Sequence, residues 1–201
     1  MPSIYDLKPR FQALLRPLVL SLAETGVTAN QVTLAAVLLS FLVGAFIALQ
    51  AQAKWPLLLM PVALFLRMAL NAVDGMLARE HRMKSPLGAI LNELGDASSD
   101  AALYLPLGLV PGVNAMWIVI VVILAIISEM TGVIAVQIGA QRRYDGPMGK
   151  SDRAFVFGLL CSLVGLGFLP AIWFDYAMIV TVVLLIVTIF NRARHALAEA
   201  A

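Results

Sequence analysis

Charge is scarce in this chain of 201 residues: Asp, Glu, Lys and Arg make up 13% of it, while hydrophobic residues make up 61%. A soluble domain of this length would be about 25% charged and roughly 45–50% apolar. The imbalance argues against an ordinary soluble domain and for a membrane protein. Cysteine is nearly absent too. With Cys161 alone, no internal disulfide can form and the redox compartment stays open. Internal repeats and low-complexity tracts are missing. The opening stretch MPSIYDLKPRFQALLRPLVLSLAETG has no short apolar run between a basic start and a small-residue cleavage site, so no removable leader is expected there. Net charge is only +2, and no nucleic-acid partner is expected.

What the chain does have is long apolar runs. A span needs about 20 predominantly apolar residues. Six stretches qualify: Asn30–Gln50, Trp55–Arg79, Pro86–Val110, Asn114–Ala140, Arg153–Pro170 and Trp173–Asn191. The second and third are interrupted by polar residues in one half. Basic residues set the orientation. Lys8, Arg10 and Arg16 precede the first span; Arg79, Arg82 and Lys84 separate the second from the third. Arg142, Arg143, Lys150 and Arg153 separate the fourth from the fifth, and Arg192 and Arg194 follow the sixth. The opposite connections carry Lys54 alone. The positive-inside rule then puts both termini in the cytoplasm. Phe11, Leu14, Leu15, Leu18, Val19 and Leu22 recur at helical spacing among charged residues, which predicts an amphipathic helix in the cytoplasmic interface. The expected architecture is therefore all-α: a juxtamembrane segment over residues 1–29, then a six-helix transmembrane domain over residues 30–201.

Ionisable residues inside spans are rare and mark function by default. Here they cluster. Asn71, Asp74 and Ala78 share one face of the second span, at i, i+3 and i+7; Asn92, Asp96 and Asp100 form a stripe on the third, at i, i+4 and i+8. A short cytoplasmic loop makes these helices antiparallel neighbours, so the two oxygen-rich faces can meet near the cytoplasmic surface. Carboxylates there need compensation. A hard divalent cation supplies it, and Mg²⁺ suits one or two carboxylates plus substrate phosphates. Gly75, Gly88 and Gly95 permit close approach of a ligand or helix. Phosphoryl-type chemistry at the cytoplasmic interface is the expectation.

The segment from Asn71 to Asp96 resembles the signature of the CDP-alcohol phosphatidyltransferase family, D-x2-D-G-x2-A-R-x8-G-x3-D-x3-D. Asp74, Gly75, Ala78, Arg79, Gly88 and Asp96 match it, with every interval kept. Gly26-Val-Thr-Ala-Asn30-Gln-Val-Thr33 is similar to the family's Gly-x-Thr-Pro-Asn-x-x-Thr lead into the first span, with Ala29 for the proline. Asn71 and Asn92 stand where the family has its first and third aspartates. Arg67-Met-Ala-Leu-Asn71 and Gly149-Lys150-Ser-Asp152-Arg153 extend the resemblance to a bacterial inner-membrane subgroup that shares both asparagines.

The resemblance implies transfer of a phosphatidyl group from CDP-diacylglycerol to an alcohol acceptor, with release of CMP. It implies a homodimer and one or two Mg²⁺ or Mn²⁺ ions held by Asn71, Asp74, Asn92 and Asp96. Asp96 is the implied general base, and recruitment of Asp100 as a ligand stays open. Gly75, Ala78, Arg79 and Gly88 would line the CDP side, and Lys150 and Arg153 would grip an acceptor phosphate. A catalytically weak lipid- or nucleotide-binding protein of that descent is the other reading. Arg142 and Arg143 read as topological charge, Glu93 as a packing or dimer residue, and His81 as a solvated loop residue. Trp55, Trp117 and Trp173 read as interfacial anchors. Arg67 is expected to pair with Asp100 or with Glu129.

Overall fold

The computed structural model of the protein describes residues 4–201, with side chains from Phe11 onward, so the readings of Lys8 and Arg10 lie outside the described residues. Seven α-helices follow in order: α1 (Ile4–Glu24), α2 (Ala29–Leu49), α3 (Leu59–Glu80), α4 (Pro86–Tyr104), α5 (Ala115–Ile134), α6 (Lys150–Gly165) and α7 (Ile172–Ala200). Short 3-10 turns at Trp55–Leu58, Leu105–Leu109 and Ala135–Ile138 extend α3, α4 and α5. Among the described residues, four segments are long and apolar enough to cross a membrane: Ala29–Leu49, Trp55–Glu80, Ala115–Ile138 and Ile172–Ala200. The other two expected spans fall short for different reasons. Glu93, Asp96 and Asp100 lie within α4, and α6 has only 16 residues.

Local chemistry fixes the helix ends that frame the site. Gly26 takes φ +78° after α1, a conformation glycine adopts at little cost. Thr28 then caps α2: its hydroxyl accepts the Gln31 N–H at 3.3 Å, and the Gln31 side chain accepts the Thr28 N–H at 2.8 Å. The Ser85 hydroxyl accepts the Gly88 N–H at 3.0 Å and Pro86 opens α4, so the α3–α4 turn spans few residues. Regular α-helix in α4 stops at Tyr104, short of the expected Val110, because Pro106 brings no N–H to continue it. Helix α6 begins at Lys150 rather than Arg153, since the Asp152 carboxylate accepts the Gly149 N–H at 2.9 Å. Helix α7 runs past the expected Asn191 to Ala200.

Packing follows from small residues and aromatic stacking. A Cβ on Gly44 of α2 would overlap the Ala102 carbonyl of α4, and one on Gly95 would sit 3.0 Å from Val37. Tyr104 stacks on Phe157 with ring centroids 3.9 Å apart, which ties α4 to α6. Val19 of α1 is buried with Val73, Met76 and Leu77 of α3, while Leu14 and Leu18 of α1 stay exposed. Phe41 and Leu42 of α2, Ile123 of α5, and Val183 and Phe190 of α7 also face outward. An apolar exterior on this scale suits lipid rather than water.

Candidate active site

Helices α3 and α4 both pack against α2 rather than closely on each other, and only their polar side chains meet across the space between them. Asp74 is buried, and its carboxylate accepts a hydrogen bond from the Thr33 hydroxyl of α2 at 2.7 Å. Asp96 lies across the helix pair, where the Asn71 amide donates to it at 3.2 Å and the Lys150 ammonium of α6 contacts the same oxygen. One turn deeper, Asp100 pairs with Arg67 at 2.5 Å and with Arg153 at 2.9 Å. Of the two partners expected for Arg67, the structure has Asp100.

Three cavities surround this cluster. The first, of about 650 Å³, is lined by Asp74, Gly75, Ala78, Arg79, Gly88 and Asn92, which gathers most of the signature on one wall. A Cβ on Gly75 would press on the Arg79 guanidinium at 3.0 Å, and one on Gly88 would meet the Asn30 side chain at 2.7 Å. The second cavity, of about 350 Å³, is lined by Asp96, Lys150, Glu129, Arg142, Asp152 and Arg192. The third is an apolar trough of about 590 Å³ between α3 and α6, walled by Leu64, Phe65, Met68, Phe155 and Leu159. Its polar end reaches Asn71 and Lys150.

Several expectations need correction. Arg153 does not line any of these cavities. It is buried, and its guanidinium is taken by Asp100, by Glu129 at 3.2 Å and by the Met148 carbonyl. A buried cation next to two acids satisfies its charge there first. Arg142 is more than topological charge: it lies over the Tyr144 ring, donates to Glu93 at 2.6 Å, and lines the first and second cavities together with Tyr144. Glu93 accordingly faces the first cavity. Arg192, read as charge beyond the last span, is buried; it donates to the Ser128 carbonyl at 2.6 Å and pairs with Glu129 at 3.4 Å. In the loop, Arg143 and His195 hold the Asp145 carboxyl below its ordinary range, the Arg143 hydrogen bonds contributing most.

The donor set fits a divalent ion of the Mg²⁺ type. Among the described residues, no three Asp, Glu, His or Cys side chains converge as a ligand cluster. Two carboxylates and two amide oxygens are available instead, from Asp74, Asp96, Asn71 and Asn92. The Lys150 ammonium already offsets one of the two negative charges, so a divalent cation here would draw further oxygens from phosphates.

A model of the CDP-alcohol phosphatidyltransferase family matches residues 26–151, well over half of the chain. The chain belongs to this family. It is 46% identical over 197 residues to a protein named inner membrane protein YnbA from Escherichia coli (strain K12), covering 97% of this chain and 96% of that one. Its fold is similar to that of the phosphatidylinositol phosphate synthase PgsA1 of Mycobacterium tuberculosis, at 17% sequence identity. The PgsA1 crystal structure with manganese and citrate gives a TM-score of 0.78, covering 91% of this chain and 88% of that one. The one with CDP-DAG bound gives 0.76, covering 92% of each.

Proposed function

We propose that the chain is a metal-dependent phosphatidyltransferase of the bacterial inner membrane that uses CDP-diacylglycerol and an alcohol and releases CMP. The observation that carries this reading is the arrangement around Asp96. Lys150, in contact with Asp96, lines both a second polar cavity and an apolar trough, and Arg142 joins that second cavity to the one walled by the signature residues. A transferase with a nucleotide-linked lipid donor and a water-borne acceptor needs three such compartments, and the trough suits an acyl chain.

In this reading the cytidine and diphosphate occupy the cavity of Gly75, Ala78, Arg79 and Gly88, with Arg79 on phosphate oxygens. Asp74 and Asp96, with the amide oxygens of Asn71 and Asn92, hold at least one Mg²⁺ or Mn²⁺ ion, which supplies positive charge to the diphosphate. The Thr33 hydroxyl fixes the rotamer of Asp74. Asp96 lines the second cavity and accepts the proton of the acceptor hydroxyl. That oxygen bonds to the lipid-side phosphorus, the bond from this phosphorus to the bridging oxygen breaks, and CMP leaves with the electron pair. Lys150, at the polar end of the trough, orients the phosphate that is attacked.

The membrane arrangement belongs to the same proposal: six spans, with α4 and α6 completing the four apolar ones, both termini and the site at the cytoplasmic face, α1 in the interface, and two copies per assembly. The positive-inside distribution of Lys and Arg supports the orientation. The asparagines at positions 71 and 92 favour the competing reading, a binding protein with little chemistry left. The two separate in one experiment. Purified protein is incubated with CDP-diacylglycerol, Mg²⁺ or Mn²⁺ and a set of alcohols, and CMP and the lipid product are followed. Metal-dependent CMP release with a matching new lipid is the expected result; tight binding of CDP-diacylglycerol without CMP release would leave the binding protein.

A further inference from the structure

The side-chain contacts of Asp96 fall on one of its two carboxylate oxygens. Asn71 donates to Oδ1 at 3.2 Å, and the Lys150 ammonium contacts the same atom. The Arg67 guanidinium stands 3.5 Å from it while donating to the Asp96 carbonyl at 3.1 Å. Among the described residues no donor reaches Oδ2. A carboxylate has about four lone-pair sites on its two oxygens, so the protein can hold one oxygen and leave the other to a ligand. At Asp74 the Thr33 hydroxyl takes Oδ2 at 2.7 Å.

Asn71 is what lets the protein alone satisfy Oδ1. An aspartate in its place would bring a second carboxylate beside Asp96, and two carboxylates that close need a cation or a proton between them. The amide N–H removes that demand, and Lys150 adds a positive charge that needs no ion. The surrounding charges point the same way. Asp74 and Asp96 carry two negative charges, and Lys150 returns one positive. Behind them Arg67 and Arg153 share Asp100, and Glu129, which also reaches Arg153, faces two further arginines. One divalent ion then meets the single negative charge on each phosphate of a CDP-linked donor. A second ion would add two positive charges to a site already offset, where no third Asp, Glu, His or Cys side chain converges among the described residues.

Two-ion sites for displacement at phosphorus set one cation on the attacking side and one on the leaving side. Here Asp74 lines the nucleotide-side cavity, whereas Lys150 lines the acceptor-side cavity and the polar end of the trough. We propose that this site takes one divalent ion, and that the Lys150 ammonium, fixed on Asp96 Oδ1, takes the place of a second on the attacking side. This inference rests on the transferase reading. Asn71 and Asn92 are then the ligand set of a one-ion site completed by a lysine, rather than the remains of a two-ion site.

The test counts ions without turnover. The full chain in detergent is titrated with Mn²⁺, alone and in mixed micelles with CDP-diacylglycerol, and electron paramagnetic resonance reads free and bound ion. One Mn²⁺ per chain with the spectrum of an isolated ion is expected. Two per chain, or the spectrum of a coupled pair, overturns the proposal. Lys150→Gln should tighten Mn²⁺ about tenfold, because a like charge no longer opposes the ion, while CMP release falls about 10²-fold. Lys150→Arg should keep the wild-type Mn²⁺ affinity. A merely structural lysine would lower turnover without tightening the ion, and that result overturns the role of Lys150. Asn71→Asp and Asn92→Asp combined with Lys150→Gln should take two ions; a single ion there overturns the assignment of these three residues. The wild-type count decides the number of ions even if the variants fail to fold. No bound Mn²⁺ overturns both the proposal and the metal-dependent reading. One bound Mn²⁺ that Lys150→Gln tightens, with no CMP release from any alcohol, overturns the transferase reading and leaves the one-ion site standing.

Discussion

The two polar cavities of the site are built on different principles. The nucleotide-side cavity depends on small residues at fixed spacing: Gly75, Ala78 and Gly88 clear space, and Asp74, Arg79 and Asn92 project into it from two consecutive helices. The acceptor-side cavity is walled by ion pairs between helices far apart in sequence. Lys150 reaches Asp96 across 54 positions and Arg192 of α7 pairs with Glu129 of α5, while behind the wall Arg153 reaches Asp100 across 53. A wall of backbone and glycine recognises a constant group. A wall of paired charges can be re-tuned by one substitution, which suits the variable half of the reaction. The donor side should therefore be rigid and shared across the family, and the acceptor side should carry what is particular to this chain.

The largest effect that sharpens this contrast concerns stability. Arg153→Ala should cost about 3–5 kcal/mol, because breaking a buried ion pair leaves Asp100 and Glu129 short of positive charge. Thermal unfolding in detergent would show it, and Arg153→Lys should recover only part of the loss, lacking the two-pronged contact. A fully stable Arg153→Ala would mean that the acceptor wall is not held by its charges.

On the donor side, Asn71→Asp together with Asn92→Asp should tighten Mn²⁺ by tenfold or more, about 1.4 kcal/mol, because two anions replace two neutral oxygens. Electron paramagnetic resonance of added Mn²⁺ reads this without turnover. Unchanged binding would remove both positions from the ligand set. Gly75→Val, whose side chain would push the Arg79 guanidinium aside, should raise KM for CDP-diacylglycerol by about tenfold and leave the acceptor KM unchanged. An equal rise in both constants would erase the division between the two cavities.

The smallest effect lies in the loop below the acceptor cavity. Asp145 has its carboxyl pKa lowered by Arg143 and His195. Its contribution is complete above the ordinary carboxylate pKa of about 4 and is lost as pH falls through the lower folded value. Because the pair is solvated and screened, its contribution is small. Melting temperatures of wild type and Asp145→Asn should differ slightly at pH 6 and converge toward pH 3; divergence on acidification would reverse the sign.

The same contrast explains what was legible beforehand. The donor side could be read because its residues lie within one helix pair, where i+3, i+4 and i+7 spacing determines which side chains share a face. The Arg67–Asp100 pair could be narrowed to two partners by depth alone. The acceptor wall could be read only in part: Glu129 stands out as an acid inside a span, but Arg142 and Arg192 have the composition of ordinary flanking charge and acquire roles only through tertiary pairing. Arg153 shows the limit directly: its position three residues after Lys150 suggests a shared phosphate, yet the buried Asp100 and the half-buried Glu129 claim it. Helix α6 starts three residues before the expected span because the Asp152 carboxylate accepts the Gly149 N–H, a capping contact that hydropathy does not show.

The most direct measurement is CMP release by wild type, Asp74→Asn and Asp96→Asn in the same assay, alongside the thermal unfolding of each preparation. Asp74 and Asp96 are the two carboxylates of the matched signature, and Asn preserves their shape. Both variants should remain folded while turnover falls; loss of a general base alone costs roughly 10²–10⁴-fold. A wild type that releases CMP at a rate matched by either folded variant would contradict the assignment of Asp74 and Asp96 to the chemistry.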